Sequence, residues 1–206
     1  MNARLKKILS RISFYIGVAT FALFCGFPMI WMVLTSIKPD GDILRATPVF
    51  WSWDTHLDHY RNLFDQTDFL IYFVNSITVA TSATLLTIVI ATLAAYGITR
   101  FRFTGREYIA GGMLFTYMFA PILIVVPFYI LMKNYGLINT KLGLVLAYTT
   151  FSLPFSMWLL RSFFQSIPLD LEEAAMTDGA SRPQAVVRVI VPLAFPGVIA
   201  VSIFTF

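Results

Sequence analysis

Five stretches of the chain contain no charged residue, and they set its overall pattern. They cover residues 14–34, 69–99, 108–132, 142–160 and 189–206. A membrane-spanning helix needs about 20 mostly apolar residues, because each residue adds ~1.5 Å across a hydrocarbon layer of ~30 Å. Four stretches are long enough to cross, and the fifth is still apolar where the sequence ends. The pattern predicts an all-α, polytopic bundle of membrane helices with about five spans.

The first stretch could be a cleaved signal peptide or a span that stays in the protein. Four basic residues precede it, namely Arg4, Lys6, Lys7 and Arg11. The apolar region of a signal peptide is usually ~7–15 residues long and ends in a small-residue cleavage site. Here the stretch runs over 21 residues, and no A-x-A sequence closes it. We therefore expect an uncleaved span.

The connections between the stretches differ in their content of basic residues. Ten of the 15 lysines and arginines lie in the N-terminal tail and at 100–106 and 161–188, whereas five lie at 38–68 and 133–141. Basic residues favour the cytoplasmic side of a membrane. We predict that the N-terminus and the segment 161–188 are cytoplasmic, and that the connection 38–68, with its six aspartates, is external.

The predicted external connection is the longest one. Leu57, Tyr60, Leu63 and Phe64 follow one another near helical spacing, which predicts a short amphipathic helix at the membrane surface. Trp51 and Trp53 (both just before it) are of the residue type that is enriched at membrane interfaces.

Composition supports the membrane interpretation. Apolar residues make up 58% of the chain and charged residues 13%, against roughly 45–50% and about 25% in soluble domains. Mean hydropathy is +0.75. The net charge of +4 is spread between the apolar stretches, which fits membrane topology and not a nucleic-acid partner. Cys25 is the one cysteine, so no disulfide can form within the chain.

Sequence motifs for catalysis are absent. The chain has no GxxxxGK[ST], GxSxG, HExxH or CxxC sequence, so we expect no catalytic residue, no cofactor and no ATP site of its own. His56 and His59 lie beside Asp54 and Asp58 and could hold a metal, but a solvated loop is the favoured interpretation and we predict no metal site. The five stretches lack ionisable residues, which counts against a proton-driven pump.

The segment 161–188 contains signals for two short helices. Asp170 and Glu173 have the spacing of a capping box after Pro168, which predicts a helix over 171–178 that ends at Gly179. Ser181 and Gln184 form a second box that opens the next helix.

The first of these helices has a small-residue face. Leu171, Ala174, Ala175 and Asp178 share that face, and Glu172 and Glu173 add negative charge beside it. Such a helix suits a groove on a partner protein, and it equally suits an amphipathic loop helix that rests on its own bundle. Physical reasoning from the sequence leaves both possibilities open.

The spacing of motifs in this region resembles a known family. Glu173-Ala174-Ala175, Gly179 after three residues, and Val189-x-Val191-Pro192 after nine more resemble the EAA motif of ABC importer permeases, with valines in place of the usual Ile and Leu. Further patterns resemble the maltose-type carbohydrate branch of the binding-protein-dependent transport inner membrane component family. They are FVNS at 73–76, AAYG at 94–97, RFRFTG at 100–105, LPF at 153–155 and FFxxIP at 163–168.

The resemblance implies a single transmembrane permease domain over 1–206, in a family whose subunits usually have six spans, so the chain would end inside the fifth. It implies a multi-pass protein of the bacterial inner membrane without enzyme activity. Its partners would be a second permease subunit, a dimeric cytoplasmic ATPase, a periplasmic or lipoprotein sugar-binding protein and the lipid bilayer. The segment 161–188 would be the cytoplasmic coupling segment. Its ATPase contacts would be Glu172, Glu173, Ala174, Ala175, Asp178 and Gly179.

The cargo is harder to predict from the residues. The resemblance to the carbohydrate branch implies a sugar or oligosaccharide, and Asn75, Tyr117, Tyr148, Ser152 and Trp158 are candidates for the substrate path. The same fold could import amino acids, peptides or polyamines. A stand-alone secondary transporter or channel is the alternative of a different class, and a membrane-embedded enzyme is disfavoured because clusters of His, Asp, Glu or Cys are missing from the stretches.

Overall fold

All regular secondary structure described in the chain is helical. The structure, a computed structural model, describes residues 3–118 and 121–206, with side chains at 7, 11–118 and 123–206. The helices are α1 (Ala3–Ser36), α2 (Asp40–Ile43), α3 (Asp58–Asp65), α4 (Phe69–Arg100), α5 (Arg106–Met118), α6 (Pro121–Asn134), α7 (Lys141–Ser166), α8 (Asp170–Thr177), α9 (Arg182–Ala185), α10 (Val191–Leu193) and α11 (Phe195–Thr205), with a π-helical turn (Val186–Ile190) between α9 and α10. The all-α prediction is confirmed.

Within the residues that the structure describes, three helices are long and apolar enough to cross a membrane without interruption. They are Arg11–Ser36, Phe69–Arg100 and Lys141–Ser166. Two bent helix pairs raise the number to five if each pair counts as one span. The predicted polytopic bundle is therefore confirmed with three to five spans, while the cytoplasmic N-terminus stays a prediction.

The third apolar stretch is not one straight helix. It forms α5 and α6, whose direction changes by 100°. α6 begins at Pro121. Proline is favoured in the first turn of a helix because it has no N–H to leave unsatisfied there. The second helix of this stretch therefore opens on a residue that suits a helix start.

The fifth stretch is also interrupted, where the sequence predicts a single helix. The N–H of Val191 bonds to the carbonyl of Val186, five residues back, which gives the π-helical turn. Pro192 follows directly, and its ring would clash with the carbonyl four residues back in a regular α-helix. A bend of 70° then separates α10 from α11. Pro196 lies in the first turn of α11, so the new helix again opens on a proline.

The chain divides into two compact units, and the first is Met1–Leu70. Its α3 confirms the predicted short helix. Lys38, in the connection after α1, is 3% exposed and makes contacts that stabilise this connection. The Lys38 ammonium donates to the carbonyl of Val49 at 2.5 Å and lies 4.2 Å from the centre of the Trp31 ring. The lysine thus replaces its lost hydration by a hydrogen bond and a cation–π contact.

The two histidines of this unit have individual partners. His56 Nε2 lies 2.9 Å from Asp54 Oδ1, and His59 Nε2 lies 2.8 Å from the carbonyl oxygen of Lys38. Among the residues that the structure describes, no group of three or more His, Cys, Asp or Glu side chains is close enough to hold a metal ion.

The second unit, Ile71–Phe206, contains the main apolar core. Its fully buried side chains include Ala91 and Ala95 of α4 and Leu160 and Phe164 of α7. Small residues allow such close approach of helices in a membrane protein. At Gly197 of α11, a Cβ atom would lie 2.5 Å from the ring of Phe163, so only glycine fits there. This packing positions the ends of α4 and α7 that carry the site described next.

Candidate functional site

The short helix α8 lies between the end of α7 and the start of α9. Its N-terminus differs from the predicted capping box. Leu169 precedes the helix with helical backbone angles, and no side-chain capping bond is formed. The carbonyl of Leu169 instead accepts the N–H groups of Glu172 and Glu173, at 2.9 and 3.1 Å. The prediction that Asp170 caps the helix is wrong, because the turn begins one residue earlier and Asp170 is already inside it.

The C-terminus of α8 follows the prediction. Gly179 has a φ of +92°, in the left-handed region that favours glycine. Its N–H bonds to the carbonyl of Met176, and the N–H of Ala180 bonds to that of Ala175. These two bonds form a Schellman motif, which satisfies carbonyls at the end of the helix. The Ser181–Gln184 capping box then opens α9, with Gln184 Oε1 accepting the N–H of Ser181 at 2.9 Å.

The predicted contact residues of α8 do not all point the same way. Glu173, Ala174, Asp178 and Gly179 are exposed, and Ala175 is half-buried. Together they form a surface of small and acidic residues, which we call the α8 outer face. Glu172 is different: it is 3% exposed and faces the interior of its own chain. The structure thus separates Glu172 from the other five predicted contact residues.

Glu172 is held by residues from two other helices. The hydroxyl of Tyr96 donates to Glu172 Oε1 at 2.6 Å. Arg100 Nε lies 3.3 Å from Glu172 Oε2 without hydrogen-bond geometry, so that contact is an ion pair. Arg182 Nε lies 3.9 Å from Oε1 and is half-exposed. Burying a carboxylate costs free energy unless charges and hydrogen bonds compensate it, and here both are present.

Arg100 also bonds to the backbone beside α8. Its Nη2 donates to the carbonyl of Ile167 at 3.0 Å, just before the proline that separates α7 from α8. Sequence reasoning missed this arrangement, which we call the Glu172 cluster (Tyr96, Arg100 and Glu172). The sequence did contain one indication of it. Tyr96 and Arg100 are four residues apart and therefore share one face of α4, from which both can reach the same partner.

Three of the five predicted substrate-path residues lie together. Asn75, Tyr148 and Ser152 line a cleft of about 730 Å³ in the second unit. Asn139, Thr140 and Lys141 add polar groups to its wall, and the sequence analysis had not singled them out. This cleft and the Glu172 cluster lie toward opposite ends of α4, and Asn75 is about 38 Å from Arg100 along the helix axis, at ~1.5 Å per residue.

The other two substrate-path residues lie outside this cleft. Tyr117 and Trp158 both contact the ring of Phe155, at centroid distances of 5.4 and 6.2 Å. Phe155 in turn lies 4.3 Å from Phe204. These four rings form an aromatic cluster that joins α5, α7 and α11. The five candidates therefore divide into a polar cleft and a packing cluster.

A protein-family model and several relatives match the sequence of this chain. The family model described as "Binding-protein-dependent transport system inner membrane component" matches residues 88–206. The diacetylchitobiose uptake system permease protein NgcG of Streptomyces coelicolor is 40% identical over 87% of this chain and 59% of its own length. The trehalose/maltose transport system permease protein MalG of Thermococcus litoralis is 37% identical over 98% of this chain and 72% of its own length. The chain thus spans only part of these relatives.

A solved structure has the same fold. It is that of a bacterial ABC transporter involved in the import of the acidic polysaccharide alginate. The TM-score is 0.84 with 24% sequence identity, and the match covers 100% of this chain and 71% of the other. The helices described above therefore have the arrangement of a known transporter chain.

Proposed function

Since this chain belongs to the binding-protein-dependent transport system inner membrane component family, we propose that it works as a sugar permease driven by a separate ATPase subunit. The observation that carries the proposal is the geometry of α8. A two-turn helix is marginal by itself in water. Here it is fixed from inside by the Glu172 cluster, and its outer face of small and acidic residues is open to a groove on a partner protein.

The ATPase contact would use the α8 outer face. Ala174 and Ala175 leave room for a partner backbone to come close, and Gly179 allows the turn that follows. Glu173 is exposed and provides a negative charge for a basic group on the ATPase. ATP hydrolysis then takes place on the partner chain. Closure of two ATPase subunits would move this permease and a second permease subunit between inward-facing and outward-facing states.

The cargo is proposed to be a sugar or oligosaccharide, delivered by an extracytoplasmic binding protein. Support comes from relatives whose names record diacetylchitobiose and trehalose/maltose transport. The cleft with Asn75, Tyr148 and Ser152 is suited to such a molecule, because amide and hydroxyl groups bond to sugar hydroxyls and an aromatic ring stacks on the sugar. It lies at the end of α4 that we predict to be external.

Affinity purification from native membranes tests this proposal. We expect the tagged chain in mild detergent to co-purify with a P-loop ATPase and a second permease, identified by mass spectrometry. A chain that purifies alone, in a form that takes up its substrate without ATP, would show a stand-alone transporter and contradict the proposal. A third outcome is a chain that co-purifies with an ATPase but takes up only amino acids or peptides. It would support the proposal that an ATPase drives transport and reject the proposal that the cargo is a sugar.

A further inference from the structure

Arg100 connects the end of α4 to residues on both sides of the turn at 168–169, between α7 and α8, which we call the corner. Its guanidinium donates to the carbonyl of Ile167, before the corner, at 3.0 Å. The same group pairs with Glu172, after the corner, at 3.3 Å. Arg100 is the last residue of α4, and its side chain is 5% exposed. The corner and the end of α4 are therefore bonded to each other by one rigid, planar group.

Tyr96 provides a second bond from the same helix. It lies one turn before Arg100, and its hydroxyl donates to the second carboxylate oxygen of Glu172 at 2.6 Å. Each oxygen of Glu172 thus meets a group of α4. A hydrogen bond to an ionised carboxylate is stronger than one between neutral groups. A buried carboxylate without partners is costly, so these contacts resist separation when α8 moves.

The one other charged group near Glu172 among the described contacts is farther away than those of α4. Arg182 of α9 is 3.9 Å away and half-exposed, and it also lies over the ring of Phe101 at 5.4 Å. The α8 outer face points away from the Glu172 cluster. One side of this short helix is thus open to a partner, whereas the other side holds one charged side chain bound to a long transmembrane helix.

We infer that Tyr96, Arg100 and Glu172 are positioning residues that transmit movement of α8 to α4. This inference rests on the proposed function, in which the ATPase moves α8. Because α4 is a continuous helix of 32 residues, displacement at Arg100 is carried along it to Asn75 in the wall of the cleft. The Glu172 cluster would therefore set how much transport results from each ATP hydrolysed, and it would leave the binding of the ATPase unchanged.

The test uses the complete transporter in proteoliposomes, with uptake and ATP hydrolysis measured on the same sample. Tyr96→Phe is the mildest variant, because it removes only the hydroxyl that bonds to Glu172. Arg100→Gln removes the charge, and Arg100→Lys retains it. Arg102→Gln, on an exposed arginine just after α4, is the matched control.

We expect Arg100→Gln to retain the ATPase subunit and to lower uptake per ATP hydrolysed by about tenfold, within the range of coupling between sites. Tyr96→Phe should show a smaller loss of the same ratio. Arg100→Lys should recover part of it, and Arg102→Gln should match the wild type. A merely structural role would instead lower the amount of transporter without changing the ratio.

Two results would overturn the inference. One is an unchanged uptake per ATP in both Tyr96→Phe and Arg100→Gln. The other is loss of the ATPase subunit from these variants, because the cluster would then serve docking and not transmission. Failure of the proposed function is seen separately, in wild-type protein that binds no ATPase, and it would remove this inference as well.

Discussion

Glu172→Ala is expected to destabilise the chain by about 3–5 kcal/mol, the cost of removing one partner of a buried ion pair. The variant leaves the guanidinium of Arg100 buried without its counter-charge, and it leaves the hydroxyl of Tyr96 without an acceptor. The thermal transition of the purified chain in detergent, followed by tryptophan fluorescence, measures the effect.

Asp65→Ala is the matched control for this prediction. Asp65 also pairs with an arginine, Arg61, at 3.6 Å, but the two side chains are 65% and 80% exposed. An exposed pair contributes only about 0–1 kcal/mol, since water solvates either charge when the other is removed. Equal losses in Glu172→Ala and Asp65→Ala would show that the burial of Glu172 has no energetic consequence. The double variant Arg100→Met/Glu172→Leu should recover most of the stability, because no unpaired charge remains.

Glu173→Lys is expected to weaken binding of the ATPase subunit by at least about tenfold, as reversal of an interfacial charge places like charges together. Uptake should fall in parallel. Glu173 is exposed and has no ion pair among the described contacts, so the fold and membrane insertion should be unchanged. Binding is measured by the amount of ATPase that co-purifies at increasing detergent wash, and uptake by radiolabelled sugar in whole cells.

The control for Glu173→Lys is Asp58→Lys. Asp58 is an exposed acidic residue in the first turn of α3, an eight-residue helix like α8. It lies on the predicted external connection, so its reversal should leave ATPase binding at the wild-type level. Retained binding and normal uptake in Glu173→Lys would reject the α8 outer face as the ATPase contact.

The long elements could be predicted from the sequence because they depend on local composition. Uncharged stretches became α1, α4 and α7, and Gly179 ended α8 as expected for a left-handed residue. The two bent spans show the limit of this reasoning. Hydropathy alone treats an apolar stretch as continuous. In the fifth stretch, however, the backbone forms a π-helical turn directly before Pro192, and hydropathy carries no information about such a change in hydrogen bonding.

The pairing of Glu172 with α4 could not be predicted in the same way. Tyr96 and Glu172 are 76 residues apart, and their contact depends on how α4, α7 and α8 pack in space. Within the sequence, Glu172 and Glu173 are adjacent acidic residues that look equivalent. One residue of difference is about 100° around a helix, which is enough to turn one carboxylate inward and leave the other exposed.

Site-directed photo-cross-linking at Ala174 tests the central claim most directly. Cys25 is the one cysteine of the chain, so Cys25→Ser gives a version of this chain without thiols. A single cysteine is placed at Ala174 on the α8 outer face, or at the exposed Ala46 of the predicted external connection as control. Each is labelled with benzophenone maleimide in membranes that hold the complete transporter.

We expect the Ala174→Cys chain to cross-link to the ATP-hydrolysing subunit upon irradiation and the Ala46→Cys chain not to do so. This result would place the α8 outer face at the ATPase and on the cytoplasmic side. Labelled Ala174→Cys protein that forms no such cross-link, or an ATPase cross-link from Ala46→Cys instead, would contradict the account.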